Sequence, residues 1–387
     1  MKKVWRILSY VLVAVAASAA TMFAFGGTES TEAAGQTKLE QLADLIEERF
    51  IGEADRTEFE DAAADAMVEA LGDRWSYYIP ADEYQAHVEQ MKNSYVGVGI
   101  TIAVMEDGSG YEVIKVNAGG PADEAGMLPG DVIIAVDGVS VAGMTTSEGK
   151  TMVQGEENTR VVLTVRRGEE TLDLDVTRKQ VDVEVATAEM LEDQIGLVTI
   201  MNFDERCADE TIAAIEALLD QGAEALIFDV RYNPGGYKHE LVKVLDYLLP
   251  EGPLFRSEDY KGNVSVDESE AACLEIPMGV LVNGDSYSAA EFFAAALREY
   301  GVAVIVGEQT CGKGYFQQTY QLRAGSAVGL SVGRSTTPNG VSLADVGITP
   351  DVIVEIDEET AFGIYADTLP AAEDPQIQAA VAALTGE

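Results

Sequence analysis

A serine at the start of a helix and a lysine held between glycines are the groups in this sequence best suited to covalent chemistry. Ser286 and Ser288 lie in Asn283-Gly284-Asp285-Ser286-Tyr287-Ser288-Ala289-Ala290-Glu291. The apolar run before them, Val280-Leu281-Val282, has the pattern of a buried strand, and the alanine-rich stretch to Tyr300 has that of a helix. A helix N-terminus carries unpaired backbone N–H groups, which can stabilise charge developing on a bound carbonyl oxygen. The hydroxyl then needs a base. Only two histidines are present, His87 and His239, so a Ser-His-acid arrangement has few candidates. Burial can instead bring a lysine from about 10.4 down toward roughly 7–8. Lys313 fits, because Gly312 and Gly314 let the backbone around it pack closely. Gln317 follows four positions later and can orient the amine, as the third member of a triad does. Singly, these residues have plainer readings: a helix cap for Ser288, a solvated loop lysine for Lys313. The residues alone leave Ser286 and Ser288 as equal candidates for the nucleophile.

A further turn belongs with them. The apolar strand Ala225-Leu226-Ile227-Phe228-Asp229-Val230-Arg231 runs into Tyr232-Asn233-Pro234-Gly235-Gly236. Such a Pro-Gly-Gly turn permits positive φ and presents N–H groups to a cleft. Gly235 or Gly236, together with the amide of Ala289, is therefore the candidate oxyanion hole.

Together these stretches resemble the carboxy-terminal processing proteases, the Ser-Lys peptidases of family S41. Their nucleophile motif, Ser-Ala-Ser-Ala-Ser/Ala-Glu, aligns with Ser286-Tyr287-Ser288-Ala289-Ala290-Glu291. Their lysine motif, Gly-Glu-x-Thr-Phe-Gly-Lys-Gly-x-x-Gln, aligns with Gly307 to Gln317. Tyr287 replaces the family's first alanine and Cys311 its phenylalanine; neither change removes a reacting group. The family spacing to Lys313 and Glu291 selects Ser288. Asp229-Val230-Arg231 through Gly236 is similar to the family's Asp-Leu-Arg-x-Asn-Pro-Gly-Gly. Arg334 to Gly340 and Gly347 to Asp351 match later motifs, so the resemblance runs from about Leu39 to Leu384. It implies a mixed α/β, multidomain chain: a crotonase-like spiral catalytic domain with an inserted PDZ domain and an N-terminal helical segment.

The elements that position these residues follow in order. Lys2, Lys3 and Arg6 precede an uncharged apolar run, Ile7 to Phe25, which at about 1.5 Å per residue nearly spans a ~30 Å hydrocarbon core. The positive flank keeps the N-terminus cytoplasmic. Residues 1–27 are thus expected to anchor the protein in the cell membrane by a single pass, with the catalytic part extracytoplasmic. A cleaved signal peptide, ending near Ala17-Ser18-Ala19, is the alternative. A linker is expected over 28–37 and a helical region over 38–94, carrying His87 as a surface or packing residue. A PDZ domain is expected over 95–180. In it the loop Gly97-Val98-Gly99-Ile100 offers N–H groups to a terminal carboxylate, while an extended peptide adds to the strand Ile100–Val104. The catalytic domain is expected over 181–353 and a closing segment with a short helix over 354–387. Ser257–Cys273, polar and acidic, reads as an exposed loop.

Composition excludes several classes. The chain has 387 residues and a formal net charge of −42, which argues against nucleic-acid partners because phosphate contacts need lysine and arginine. Cys207, Cys273 and Cys311 are too scattered for a disulfide framework or a zinc site. Cys311 reads as a small buried residue at the family's phenylalanine position, or as a redox-sensitive spot. The chemistry needs no metal or organic cofactor. The expected partners are protein or peptide substrates, read through their C-termini, and a homo-oligomer is left open. The expectation is a serine endopeptidase acting near the C-termini of exported or membrane-associated proteins. The alternatives are a non-catalytic PDZ scaffold and a Ser-His hydrolase using His239.

Overall fold

The computed structural model describes residues 37–386 apart from 106, 271, 272 and 367. The anchor expected over 1–27 and nearly all of the linker expected over 28–37 lie outside them. Among the described residues no helix is long and apolar enough to cross a membrane.

Contacts divide the chain between Gly72 and Asp73. The first unit holds two helices, α1 (Lys38–Arg49) and α2 (Arg56–Glu69). Thr37 starts α1 with a reciprocal cap: Glu40 N–H donates to its hydroxyl, and its own N–H donates to the Glu40 carboxylate.

The second unit begins with β1 (Tyr77–Ile79), α3 (Ala81–Met91) and β2 (Ser94–Gly97). The PDZ domain follows as β3 (Ile100–Val104), β4 (Tyr111–Val116), α4 (Pro121–Glu124), β5 (Val132–Val136), β6 (Val139–Ser140), α5 (Thr146–Val153), β7 (Arg160–Arg167) and β8 (Glu170–Thr177). Its sheet runs β3-β4-β5-β7-β8, with β6 on β5, around a core that includes Tyr111, Met127, Ile133 and Leu163. β3 is an edge strand. β9 (Lys179–Asp182) returns to pair with β2, so one two-stranded neck carries the chain into the insertion and out of it.

The rest of the chain is built from β10 (Ala186–Met190), β11 (Ile195–Ile200), α6 (Cys207–Asp220), β12 (Ala225–Asp229), α7 (Lys238–Leu248), β13 (Gly252–Asp259), β14 (Val264–Ser269), β15 (Met278–Val282), α8 (Ala289–Glu299), β16 (Ala303–Gly307), β17 (Tyr315–Gln321), β18 (Ala327–Thr336), β19 (Val352–Ile353), α9 (Glu358–Tyr365) and α10 (Pro375–Thr385). The main sheet runs β10-β11-β12-β15-β16-β19, parallel except for the first pair. Its central strands read as unbroken apolar runs because both faces are covered. Phe228, Val280, Val282 and Ile305 join the core that includes residues of α6, α7 and α8. Ile227, Leu281 and Val306, one residue out of phase, pack with Ile377 and Ala380 of α10. A second sheet runs β1-β18-β13-β14, with β17 on β18.

Ser257–Cys273 corrects the sequence expectation. It is mostly a hairpin rather than a loop: β13 pairs with β14, and both Lys261 N–H and Asn263 N–H turn back to the Asp259 carboxylate. Ser265 and Glu268 are exposed along with Val264 and Val266, so its polar composition reflects a solvated hairpin.

Candidate active site

Three adjacent parallel strands, β12, β15 and β16, end beside one another, and the loops leaving their carboxyl ends carry the chemically competent residues. Clefts form at such strand ends in open α/β sheets.

The loop after β15 separates the two serines. Ser286 is fully buried; its hydroxyl donates to Val230 O at 2.7 Å and accepts from Asn283 N at 3.0 Å. Ser288 is partly exposed and sits at φ 60°, ψ −122°, immediately before α8. A non-glycine residue with positive φ is costly and persists where the surroundings hold it. What holds it is the loop after β12. Gly235, at φ 88°, lies so close that a Cβ there would stand 2.7 Å from Ser288 Cβ and 2.9 Å from Ala289 N. Tyr287 N–H also donates to Asn233 O at 3.1 Å.

That loop also sorts the candidate oxyanion donors. The Gly235 N–H is taken by Asn233 Oδ1 at 2.8 Å. Gly236, at φ 149°, bridges Phe203 in parallel fashion, with Phe203 N–H donating to Gly235 O and Tyr237 N–H to Phe203 O. The N–H groups of Gly236 and Ala289 make no hydrogen bond among the described residues. Buried Arg231 anchors the base of the loop, clamping Asp229 and reaching Asp374 of the α10 cap at 2.8 Å.

The loop after β16 brings in Lys313. Its Nζ makes no hydrogen bond among the described residues, and none links it to the Ser288 hydroxyl; it lies 4.8 Å from the Trp75 ring centroid and 5.5 Å from that of Tyr287. Burial by these walls holds the ammonium below the ordinary lysine value, against the smaller opposing pull of Cys311, Asp73 and Glu291. Arg74 stacks over the outer side of Trp75 at 4.2 Å and donates to the Cys311 sulfur at 3.3 Å. Lysine aimed at aromatic faces is held by cation–π attraction.

Glu291 ties the two loops together. Fully buried on the first turn of α8, its Oε2 accepts from Ser288 N at 3.0 Å and Lys313 N at 2.8 Å, while Oε1 accepts from Gly312 N at 2.7 Å and Thr310 Oγ1 at 2.6 Å. Four donors on one carboxylate satisfy it without a cation. The sequence motif contains Glu291, but its bridging role, like the cover given by Trp75, depends on long-range placement.

Gln317 lies on β17. Its amide donates to Ser331 Oγ at 3.0 Å and to Tyr315 O at 3.2 Å, with no hydrogen bond to the Lys313 amine. His239 is exposed at the start of α7; its partners are Tyr237 and Glu240, and nothing among the described residues joins it to Ser288. His87 packs against Tyr77 on α3. In the PDZ domain Val98 is buried and Gly99 has φ 75°, where the chain turns from β2 into β3.

Residues 194–354 match Peptidase family S41 and residues 112–167 match the PDZ domain. The chain is 32% identical to the Bacillus subtilis carboxy-terminal processing protease CtpA, over 92% of this chain and 78% of that one. The chain belongs to the S41 carboxy-terminal processing proteases. A Staphylococcus aureus CtpA-like serine protease is 29% identical, over 88% of this chain and 69% of its own length. A solved S41 protease from Bacteroides fragilis superposes with a TM-score of 0.58 at 15% identity, covering 89% of this chain and 97% of that one. That likeness extends to the fold: mixed α/β, with a PDZ domain carried by the S41 peptidase. Membership makes this a serine-type peptidase.

Proposed function

We propose that this chain is a serine endopeptidase in which Ser288 is the nucleophile and Lys313 the general base. The observation carrying this reading is the shared tether: one buried carboxylate, Glu291, holds the backbones of both residues, while the lysine amine sits in an apolar box that lowers its affinity for a proton. The Ser288 oxygen attacks the peptide carbonyl carbon, and its proton passes to the neutral Lys313 amine. The resulting oxyanion accepts from the N–H groups of Ala289 and Gly236. As the C–N bond breaks, Lys313 returns the proton to the departing amine, leaving an acyl-enzyme. Water, deprotonated by the same lysine, then attacks the acyl carbon; the ester bond to Ser288 breaks, the acid departs, and Lys313 returns the proton to the Ser288 oxygen.

For this transfer the Lys313 side chain must swing from the aromatic rings to the serine; catalytic hydrogen bonds are often formed only with substrate bound. Gln317, on β17 four residues after Lys313, is proposed to receive the amine after that movement. The catalytic sheet and its helices are read as a crotonase-like spiral. The PDZ groove is read as taking the C-terminus of a protein substrate along β3. The chain is proposed to act outside the cytoplasm, tethered by residues 1–27.

The test is cleavage of an unstructured protein with an apolar C-terminus by the parent, Ser288→Ala and Lys313→Ala chains. Activity in the parent alone supports the dyad. Full turnover by Lys313→Ala would overturn it, and cleavage by Ser288→Ala would point to another nucleophile.

A further inference from the structure

The peptide loop of the PDZ domain carries a side chain as well as backbone amides. Tyr95, on β2, lays its ring over Gly97, so that a Cβ on this glycine would stand 2.6 Å from a ring carbon. The hydroxyl end reaches the next glycine, and the Gly99 N–H is directed at the phenol oxygen. Tyr95 shares with Gly97, Val98, Gly99 and Ile100 the wall of one cavity of about 1080 Å³. The cavity continues between β3 and α5, past Ile102 and Val153, with the side of α3 facing it.

The phenol oxygen is occupied by the Gly99 amide, but its proton has no acceptor among the described residues. Burial pushes the phenol above its ordinary value, so it stays protonated and remains a donor. Val98 and Ile100 line the same space. A phenol donor left without an acceptor suits an anion, and a carboxylate has about four lone-pair sites to offer.

We propose that the Tyr95 hydroxyl is a side-chain ligand of the terminal carboxylate of a peptide lying along β3, donating to it while accepting from Gly99. The proposal rests on reading residues 95–180 as a peptide-binding module. The Gly99 amide then acts through the phenol. Its hydrogen bond polarises the O–H, and such chains strengthen one another in a low-dielectric site. An O–H donor to a charged oxygen is also stronger than one to a neutral carbonyl. Tyr95 would therefore favour a true C-terminus over an internal segment threaded through the same groove.

The experiment uses the full chain carrying Ser288→Ala, so that the probe is not consumed. Binding is followed by fluorescence anisotropy with a labelled unstructured decapeptide ending in Ala-Val-Ala, as the free acid and as the C-terminal carboxamide. The parent is expected to prefer the acid. Tyr95→Phe keeps the ring and should weaken the acid about ten-fold, the loss of one hydrogen bond to a charged group, with little change for the amide. Gly97→Ala keeps the hydroxyl but displaces the ring, and should produce the same selective loss. Equal weakening of acid and amide, unchanged binding, or tighter binding by Tyr95→Phe would each overturn the proposal; the last would make Tyr95 a plug rather than a ligand. If the parent binds neither peptide, the reading of the module fails and the proposal falls with it.

Discussion

The Glu291 carboxylate accepts the backbone N–H of Lys313 at 2.8 Å, and the same oxygen accepts that of Ser288 at 3.0 Å. The distance between the two loops is thereby set by a single buried side chain on the rigid first turn of α8. Replacing it with glutamine keeps the size but turns one oxygen into an NH₂ group facing donors. Glu291→Gln should therefore lower stability by about 3 kcal/mol, through buried donors left unpaired, and cut kcat more than it raises KM. Thermal unfolding and steady-state kinetics with one peptide substrate measure both; unchanged kcat would show that the tether does not position the dyad.

The two serines of the nucleophile motif should separate cleanly. The Ser286 hydroxyl ties the loop to Val230 O and Asn283 N, so Ser286→Ala is expected to cost about 1–3 kcal/mol and leave turnover measurable. Ser288→Ala should leave the melting temperature near that of the parent, since alanine meets the same positive φ, and abolish acyl-enzyme formation. Mass spectrometry after a serine-directed fluorophosphonate decides between them: label on the parent and on Ser286→Ala, none on Ser288→Ala. Label retained by Ser288→Ala would move the nucleophile elsewhere.

Much of this arrangement is legible before the coordinates. β12, β15 and β16 read as strands because a two-sided core demands continuous apolar residues, and their loops stand out because Gly235, Gly236, Gly312 and Gly314 meet backbone too closely for side chains. What is not legible depends on distant segments. Trp75 belongs to the stretch leading into β1, and the pairing of β1 with β18, with Ser331 N–H donating to Ser76, brings that stretch over the lysine. Arg231 also has a distant partner in Asp374, with no local signal joining them. Gln317 has the motif spacing to orient Lys313, yet on a strand its amide is claimed by Ser331. The β13–β14 hairpin reads as a loop because its composition is polar.

The lysine environment sets the pH dependence. Proton transfer requires neutral Lys313, and burial favours that form, so kcat/KM should rise with pH through an ionisation below the ordinary lysine value of 10.5. Trp75→Ala admits water to the ammonium. Loss of the ring's cation–π attraction acts the other way, but desolvation is the larger influence, so the limb should move to higher pH. A pH series of kcat/KM on both chains measures it. A limb near pH 6.5 that is insensitive to Trp75 would indicate a histidine base.

Asp204 gives a second pH effect, on stability. It is buried, its Oδ1 has no hydrogen-bond partner among the described residues, and burial followed by the nearby charge of Glu205 raises its carboxyl from 3.8 to about 7. Because the folded state prefers the protonated form, its contribution is full below pH 3.8 and is lost as pH rises through about 7. Asp204→Asn resembles the protonated acid at every pH. The variant should match the parent near pH 4, draw ahead of it as the pH rises from there to about 7, and hold a gap on the order of 2–4 kcal/mol above that. Urea unfolding of both chains at pH 5 and pH 8 tests this. A constant gap would mean that Asp204 does not titrate in the folded protein, and a less stable variant at pH 8 would mean that its ionised form has a partner. Asp204 N also lies against Gly236, where a Cβ would come within 2.7 Å of it. Ionisation beside the loop carrying an oxyanion donor is expected to disturb it, so the kcat of the parent should gain less than that of the variant as the pH is raised past 7.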